Sequence, residues 1–298
     1  MSNQTILITG GTGGIGYQSA LALARSGAHV IVTGRNRANG EAAVAALKQS
    51  SGNPNVELLL GDLSTQAGVR SLVDQFTQRV ARLDVLINNA GLAESQRRLT
   101  VDGVEAMFAV NVIAPWLLTQ RLMEPLKASG AGRVVNVTGG EVKGPIDVAN
   151  LQAERSFAGL STYSHTKLIM MAMMYEFAQR TKGVTINVCY PGQASTKMTQ
   201  GVTREMLPGA MRWLFPLFKW VTRPDGGKSA AKAARSTVYL ASSPEVAGVT
   251  GHYFDTHCKR VEWPFAVLDQ TIRQQVWAQV EQFSHMMAGA IQDSGKIA

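Results

Sequence analysis

The feature that most constrains this chain is an alternation of two periodicities. Thr5–Thr9, His29–Thr33, Val56–Leu60, Asp84–Asn88, Arg133–Thr138 and Thr185–Tyr190 are short runs rich in Val, Ile and Leu. Helical patterns fill the stretches around 14–26, 37–50, 65–81, 101–128 and 160–182. A strand with little polar character on either side is buried on both faces, as in a parallel sheet covered by helices. Parallel neighbours also need long crossovers, and helix-length segments separate these runs. The expectation is one α/β domain spanning 1–298, a doubly wound parallel sheet with helices on both faces. A 45% apolar, 17% charged composition supplies the core that such a domain needs.

Charge and cysteine content narrow the function classes. There are 29 Lys+Arg against 21 Asp+Glu, a net charge of +8, which suits nucleic acid, an anionic membrane surface or a phosphorylated cofactor. The cations are scattered and form no stripe, so no nucleic-acid partner is expected. Cys189 and Cys258 cannot build a disulfide framework, and no histidines join them at zinc spacing, so no metal is expected. These features read as a reduced, cytoplasmic chain. Its start, Met1 to Thr5, is polar and has no basic region followed by an apolar one, so no signal peptide is expected.

Three regions stand outside the alternation. Residues 139–159 form a long connection, and long connections in such domains are often functional. Residues 199–222 carry Met206, Leu207, Met211, Trp213, Leu214, Phe215, Leu217, Phe218, Trp220 and Val221. Pro208, Arg212, Pro216 and Lys219 interrupt them, so this is no membrane span. Three readings stay open: a core helix pair, an apolar substrate lid, or a peripheral membrane contact through 206–221. Residues 263–298 read as a C-terminal helical extension.

The first apolar run ends in Thr9-Gly10-Gly11-Thr12-Gly13-Gly14-Ile15-Gly16, and a helix follows. Glycines there permit a tight turn, close backbone approach to a pyrophosphate, and a helix N-terminus that favours the anion. The spacing Gly10, Gly14, Gly16 resembles that of the short-chain dehydrogenase/reductase family, and three more motifs agree in order. Asn88-Asn89-Ala90-Gly91 follows the fourth run, Tyr163-Ser164-His165-Thr166-Lys167 matches Tyr-x-x-x-Lys, and Pro191-Gly192 with Thr196 follows the sixth. Asn150-Leu151-Gln152-Ala153-Glu154, Met211-Arg212-Trp213 and Trp277 are similar to the retinol dehydrogenase-like branch, over about residues 4–285. The resemblance implies a Rossmann-like fold, a nicotinamide cofactor and a homo-oligomer. It places Gly10, Thr12, Gly14, Ile15, Gly16, Asn89, Ala90, Gly91, Pro191, Gly192 and Thr196 on that cofactor. Asp62, with Leu63 beside it, matches the residue that meets the adenine; the other reading of Asp62 is a helix N-cap.

The end of the second run bears on cofactor choice. An NAD enzyme usually places an acid there, whereas this chain has Gly34 and then Arg35, with Arg37 close by. Arg35 fits a charge-assisted fork on a 2′-phosphate, and Arg37 fits better as a solvated helix-start cation. NADP(H) is therefore the expected cofactor.

Tyr163 and Lys167 lie four residues apart on one helix face, so the ammonium is expected to lower the phenol's pKa. Tyr163 then protonates a carbonyl oxygen or deprotonates an alcohol. By resemblance Lys167 also holds the nicotinamide ribose, and Asn111 supports Lys167 through a water. The family's fifth strand usually ends in a serine that bonds the substrate oxygen. Here Val137-Thr138-Gly139-Gly140 puts Gly139 at that position. Three readings stand: Thr138 substitutes, the substrate supplies a hydroxyl, or Gly139 makes room for a large substrate. Three functions remain to be separated. They are NADP(H)-dependent hydride transfer with a bulky apolar carbonyl or alcohol, reduction of a polarised C=C or C=N bond, and a cofactor-binding regulator without turnover.

Overall fold

The structure is a computed structural model that describes residues 3–139 and 143–294. Gly140 and residues 295–298 of the C-terminal extension lie outside the described residues. Chain order begins β1 (Thr5–Ile8), α1 (Gly14–Arg25), β2 (His29–Gly34), α2 (Arg37–Ser51), β3 (Val56–Leu60), α3 (Gln66–Thr77) and β4 (Val85–Asn88). It continues through α4 (Ala106–Phe108), a π turn (Ala109–Ile113), α5 (Ala114–Arg121), α6 (Met123–Lys127), β5 (Gly132–Val137), α7 (Gly159–Arg180) and β6 (Val184–Cys189). The remainder holds α8 (Lys197–Gln200), α9 (Phe215–Val221), α10 (Lys228–Ser242), β7 (Tyr253–Phe254), β8 (Arg260–Val261), α11 (Phe265–Leu268) and α12 (Gln270–Ser294).

Alternating side chains along the strands divide two apolar layers. Ile6, Ile8, Val30, Val32, Val85, Ile87, Val135 and Val137 face one layer, with Ala20, Leu23, Ala24, Leu240 and Ala241 from α1 and α10. Leu7, Ile31, Leu86 and Val134 face the other, with Phe76, Trp116 and the Leu168–Met174 run of α7. The strand order is β3-β2-β1-β4-β5-β6-β7-β8, parallel except for β8. This is the expected Rossmann-like, doubly wound sheet.

Four elements differ from expectation. The helix foreseen over 101–128 starts at Ala106, because the Glu105 carboxylate accepts the Phe108 N–H at 2.7 Å and caps it. It then opens into the π turn, since Pro115 has no N–H for the Asn111 carbonyl one turn back. Helix α10 went unforeseen because its buried stripe is Ala230, Ala233, Ala234, Thr237, Leu240 and Ala241, mostly too small to mark an apolar face. Strands β7 and β8 are two residues each, too short to show a period.

The extension α12 covers α7. Trp277 meets Phe177 edge-on at 4.9 Å and Trp116 at 6.0 Å, while the Arg180 guanidinium lies 4.3 Å from its ring centre. Glu176 pairs with Arg180 of its own helix at 2.8 Å and joins α7 to α12 through Arg273 at 3.1 Å.

Candidate active site

The strand order reverses between β1 and β4, so the loops leaving them splay apart and open a crevice at the carboxyl edge. A cavity of about 750 Å³ occupies it, within the range of small-molecule sites.

Its floor is the glycine-rich turn. Gly10 and Gly14 take φ of +65° and +55°, conformations that side chains rarely adopt. A Cβ on Gly16 would strike the Gly10 carbonyl and the Asn89 amide, so Gly16 is a spacer beneath the turn, while Thr12 and Ile15 line the cavity. Asn89 Nδ2 donates to the Thr9 carbonyl at 2.8 Å, and the N–H groups of Asn89 and Ala90 donate to Thr9 Oγ1 at 2.9 and 3.0 Å. Asn89 therefore fastens the end of β4 to the turn after β1, and Ala90 and Gly91 form the adjoining wall. Opposite, Pro191 and Gly192 leave β6, and the Thr196 methyl lies 3.0 Å from where a Gly14 Cβ would stand. Thr196 also caps α8, accepting from the Thr199 N–H at 3.2 Å.

At the β2 end, Arg35 is exposed on the cavity rim and, among the described residues, makes no hydrogen bond or ion pair. Arg37 pairs with Glu41 at 3.4 Å, as a helix-start cation does. Asp62 and Leu63 line the same end. Asp62 does not cap α3: its Oδ1 accepts from Ser64, and Thr65 takes the cap by accepting the Gly68 N–H at 3.0 Å. A glycine cradle, an uncommitted guanidinium and a free edge on Asp62 fit a phosphorylated dinucleotide.

Helix α7 carries Tyr163 and Lys167 to the cavity's inner end, both buried. Lys167 Nζ donates to the Val137 carbonyl at 3.2 Å and lies 5.9 Å from the Tyr163 ring centre. Burial pushes the phenol well above its ordinary pKa, with the nearby Tyr190 adding to the rise, and burial pushes Lys167 down to about 8. The expected lowering of Tyr163 by Lys167 is not found: burial and Tyr190 both raise the phenol's pKa, which favours its protonated form. Asn111 sits in the π turn. Its Oδ1 accepts from the Leu92 N–H at 2.8 Å, and its Nδ2 donates to the Leu92 carbonyl and Thr166 Oγ1, both at 2.9 Å. A second cavity of about 10 Å³, room for about one water, lies between Asn111, Lys167, Thr9 and Asn88, whose Oδ1 has no hydrogen-bond partner.

A family profile described as short chain dehydrogenase matches residues 4–207. The chain belongs to the short-chain dehydrogenase/reductase family. Within it, the chain lies in the retinol dehydrogenase-like branch. It is similar to human retinol dehydrogenase 14, 34% identical over 98% of this chain and 88% of that one. It is also similar to human polyprenol dehydrogenase, 33% identical over 93% and 83%. A short chain dehydrogenase from Escherichia coli CFT073, solved in complex with NADPH, superposes with a TM-score of 0.63 at 25% identity, over 86% of this chain and 97% of that one.

This short-chain dehydrogenase/reductase departs from the family pattern at the end of β5. A Cβ on Gly139 would collide with the Tyr163 hydroxyl and stand 3.1 Å from its Cζ. The phenol lies against the backbone where a serine side chain would begin. The Thr138 hydroxyl is closed off from solvent and unpartnered, while its N–H donates to the Cys189 carbonyl at 3.0 Å.

The segment 199–222 is neither a helix pair in the core nor wholly exposed. Val202, Met206 and Leu207 are buried and pack with Phe215 and Phe218 onto Ala93 and Leu160. Val202, Phe218 and Thr222 form a cavity wall. Sequence reasoning missed several participants. Tyr190 and Ser164 line the cavity. Asn88 Nδ2 donates to Asn136 Oδ1 at 2.9 Å, and Asn136 Nδ2 to the Asn187 carbonyl at 3.2 Å, a polar ladder behind the site. The available signal was an asparagine amid the buried residues of each of three mostly apolar strands.

Proposed function

We propose that this oxidoreductase transfers hydride between NADP(H) and a carbonyl or alcohol of a bulky apolar substrate. The observation that carries the cofactor choice is the uncommitted Arg35 guanidinium beside Gly34, where a carboxylate would repel a 2′-phosphate. The NADPH complex of a structural relative supports the same reading. For the substrate, support comes from Leu92, Ala93, Leu160, Val202 and Phe218 around the cavity, and from relatives named for retinol and polyprenol, both long apolar alcohols.

The nicotinamide, when bound, supplies or accepts the hydride. The glycine turn and the α1 N-terminus would hold its pyrophosphate, Arg35 the 2′-phosphate, and Asp62 the adenine end. Lys167 would hold a ribose hydroxyl and, when charged, steady a phenolate. Tyr163, kept protonated by burial, delivers its proton to the substrate oxygen; in the reverse direction it takes that proton back. The apolar wall excludes water from the transfer. Melting curves of wild type and Arg35→Asp with NADPH and with NADH test the cofactor choice. Wild type should be stabilised more by NADPH, and the variant should lose that preference by about tenfold in affinity or more. A larger shift with NADH in wild type overturns the assignment.

A further inference from the structure

The segment that walls the cavity has a second apolar face turned outward. Trp213 is 73% exposed, Trp220 61%, Leu217 56%, Val221 47% and Met211 46%. Five large apolar side chains within eleven residues form a patch of the kind that marks a contact surface.

Charge identifies what covers it. Between 197 and 223 the chain carries Lys197, Arg204, Arg212, Lys219 and Arg223 against the single acid Glu205. Cations and rings share one rim: the Arg223 guanidinium lies 5.3 Å from the Trp220 ring centre, and the Lys219 ammonium 5.5 Å from that of Phe215. A second copy meeting this face symmetrically would set Arg212, Lys219 and Arg223 against themselves. A surface that is apolar within and anionic at its border matches both features, and tryptophan with flanking cations is the composition that settles at the lipid headgroup level.

We propose that residues 211–223 seat on an anionic lipid surface, with Trp213 and Trp220 as interfacial anchors and Arg212, Lys219 and Arg223 against lipid phosphates. The inner face of the same segment is the cavity wall of Val202, Phe218 and Thr222, so the bilayer and the active site share one thin partition. An apolar substrate dissolved in the acyl layer then reaches the cavity without crossing water.

Vesicle binding needs neither cofactor nor substrate, so its failure leaves the hydride-transfer reading standing. The full chain is floated with vesicles of phosphatidylcholine and phosphatidylglycerol in equal parts, and with phosphatidylcholine alone. It should float with the anionic vesicles, stay behind with the neutral ones, and be released by high salt. Trp213→Ala with Trp220→Ala, and separately Lys219→Glu with Arg223→Glu, should each cut the bound fraction at least about tenfold while the melting temperature holds. A double variant that melts early is set aside for the other. Three results overturn the proposal: no flotation, equal flotation on neutral vesicles, or a wild-type dimer that the tryptophan variant dissociates.

Discussion

Replacing Gly139 by alanine puts one carbon where the Tyr163 hydroxyl now lies. To reach van der Waals contact the hydroxyl has to retreat by on the order of 1 Å. It has little freedom to do so, because Tyr163 is 7% exposed and its helix is pinned between the sheet and α12. A misplacement of about 1 Å at a reacting group costs about 10²-fold in rate. Overpacking of this kind also costs about 1–3 kcal/mol, which lowers the melting point by roughly 2–4 °C per kcal/mol. Gly139→Ser adds the same carbon plus a hydroxyl. Steady-state oxidation of NADPH with a long-chain aldehyde should therefore fall by about 10² in kcat for both variants, with the KM for NADPH nearly unchanged. If space is the issue, alanine and serine lose alike. A serine variant faster than wild type beside an alanine variant at wild-type rate would refute the reasoning, since it would mean that a donor was missing and the carbon fits.

Three further outcomes follow from burial. The folded pKa of Lys167, about 8, lies below its ordinary 10.5, so the fold penalises the charged form and wild type should gain stability relative to Lys167→Met as pH rises from about 8 toward 10.5. Over the same rise the ammonium is lost, so NADPH should bind more weakly above about pH 8; a dissociation constant flat to pH 10 would contradict this. Trp277→Ala removes a half-buried ring from its edge contacts with Phe177 and Trp116, costing about 1.5–3 kcal/mol and roughly 3–12 °C in melting temperature. An unchanged melting curve would show that α12 does not hold α7.

What the sequence made legible depended on how far each signal reached. Ile6, Leu7 and Ile8 announce a strand buried on both faces by themselves, three of the four motifs fall at strand ends and the fourth, Tyr163 to Lys167, on α7, so the sheet and most of the cavity wall were readable. Helix α10 was not, because alanines carry little apolar contrast. Asp62 and Thr65 both suit a helix N-cap, and only the chain's path after β3 selects Thr65. The phenol's raised pKa was also out of reach. The separation of Lys167 from Tyr163 along the helix is local, whereas burial is set by elements far away in the chain, including the β5 end. Gly139 was visible as a departure, but its meaning came from the hydroxyl packed against it.

Tyr163 hands its proton to a substrate oxygen while hydride moves, and Tyr163→Phe isolates that step, because the ring still packs and only the ionisable hydroxyl goes. Purified wild type and variant are compared for NADPH-dependent reduction of a long-chain aldehyde and, separately, for the melting shift that NADPH produces. Turnover should fall by about 10²–10⁴ in the variant with the NADPH shift preserved. Wild-type turnover in the phenylalanine variant would contradict it, and proton delivery would have to pass to water or to the substrate itself.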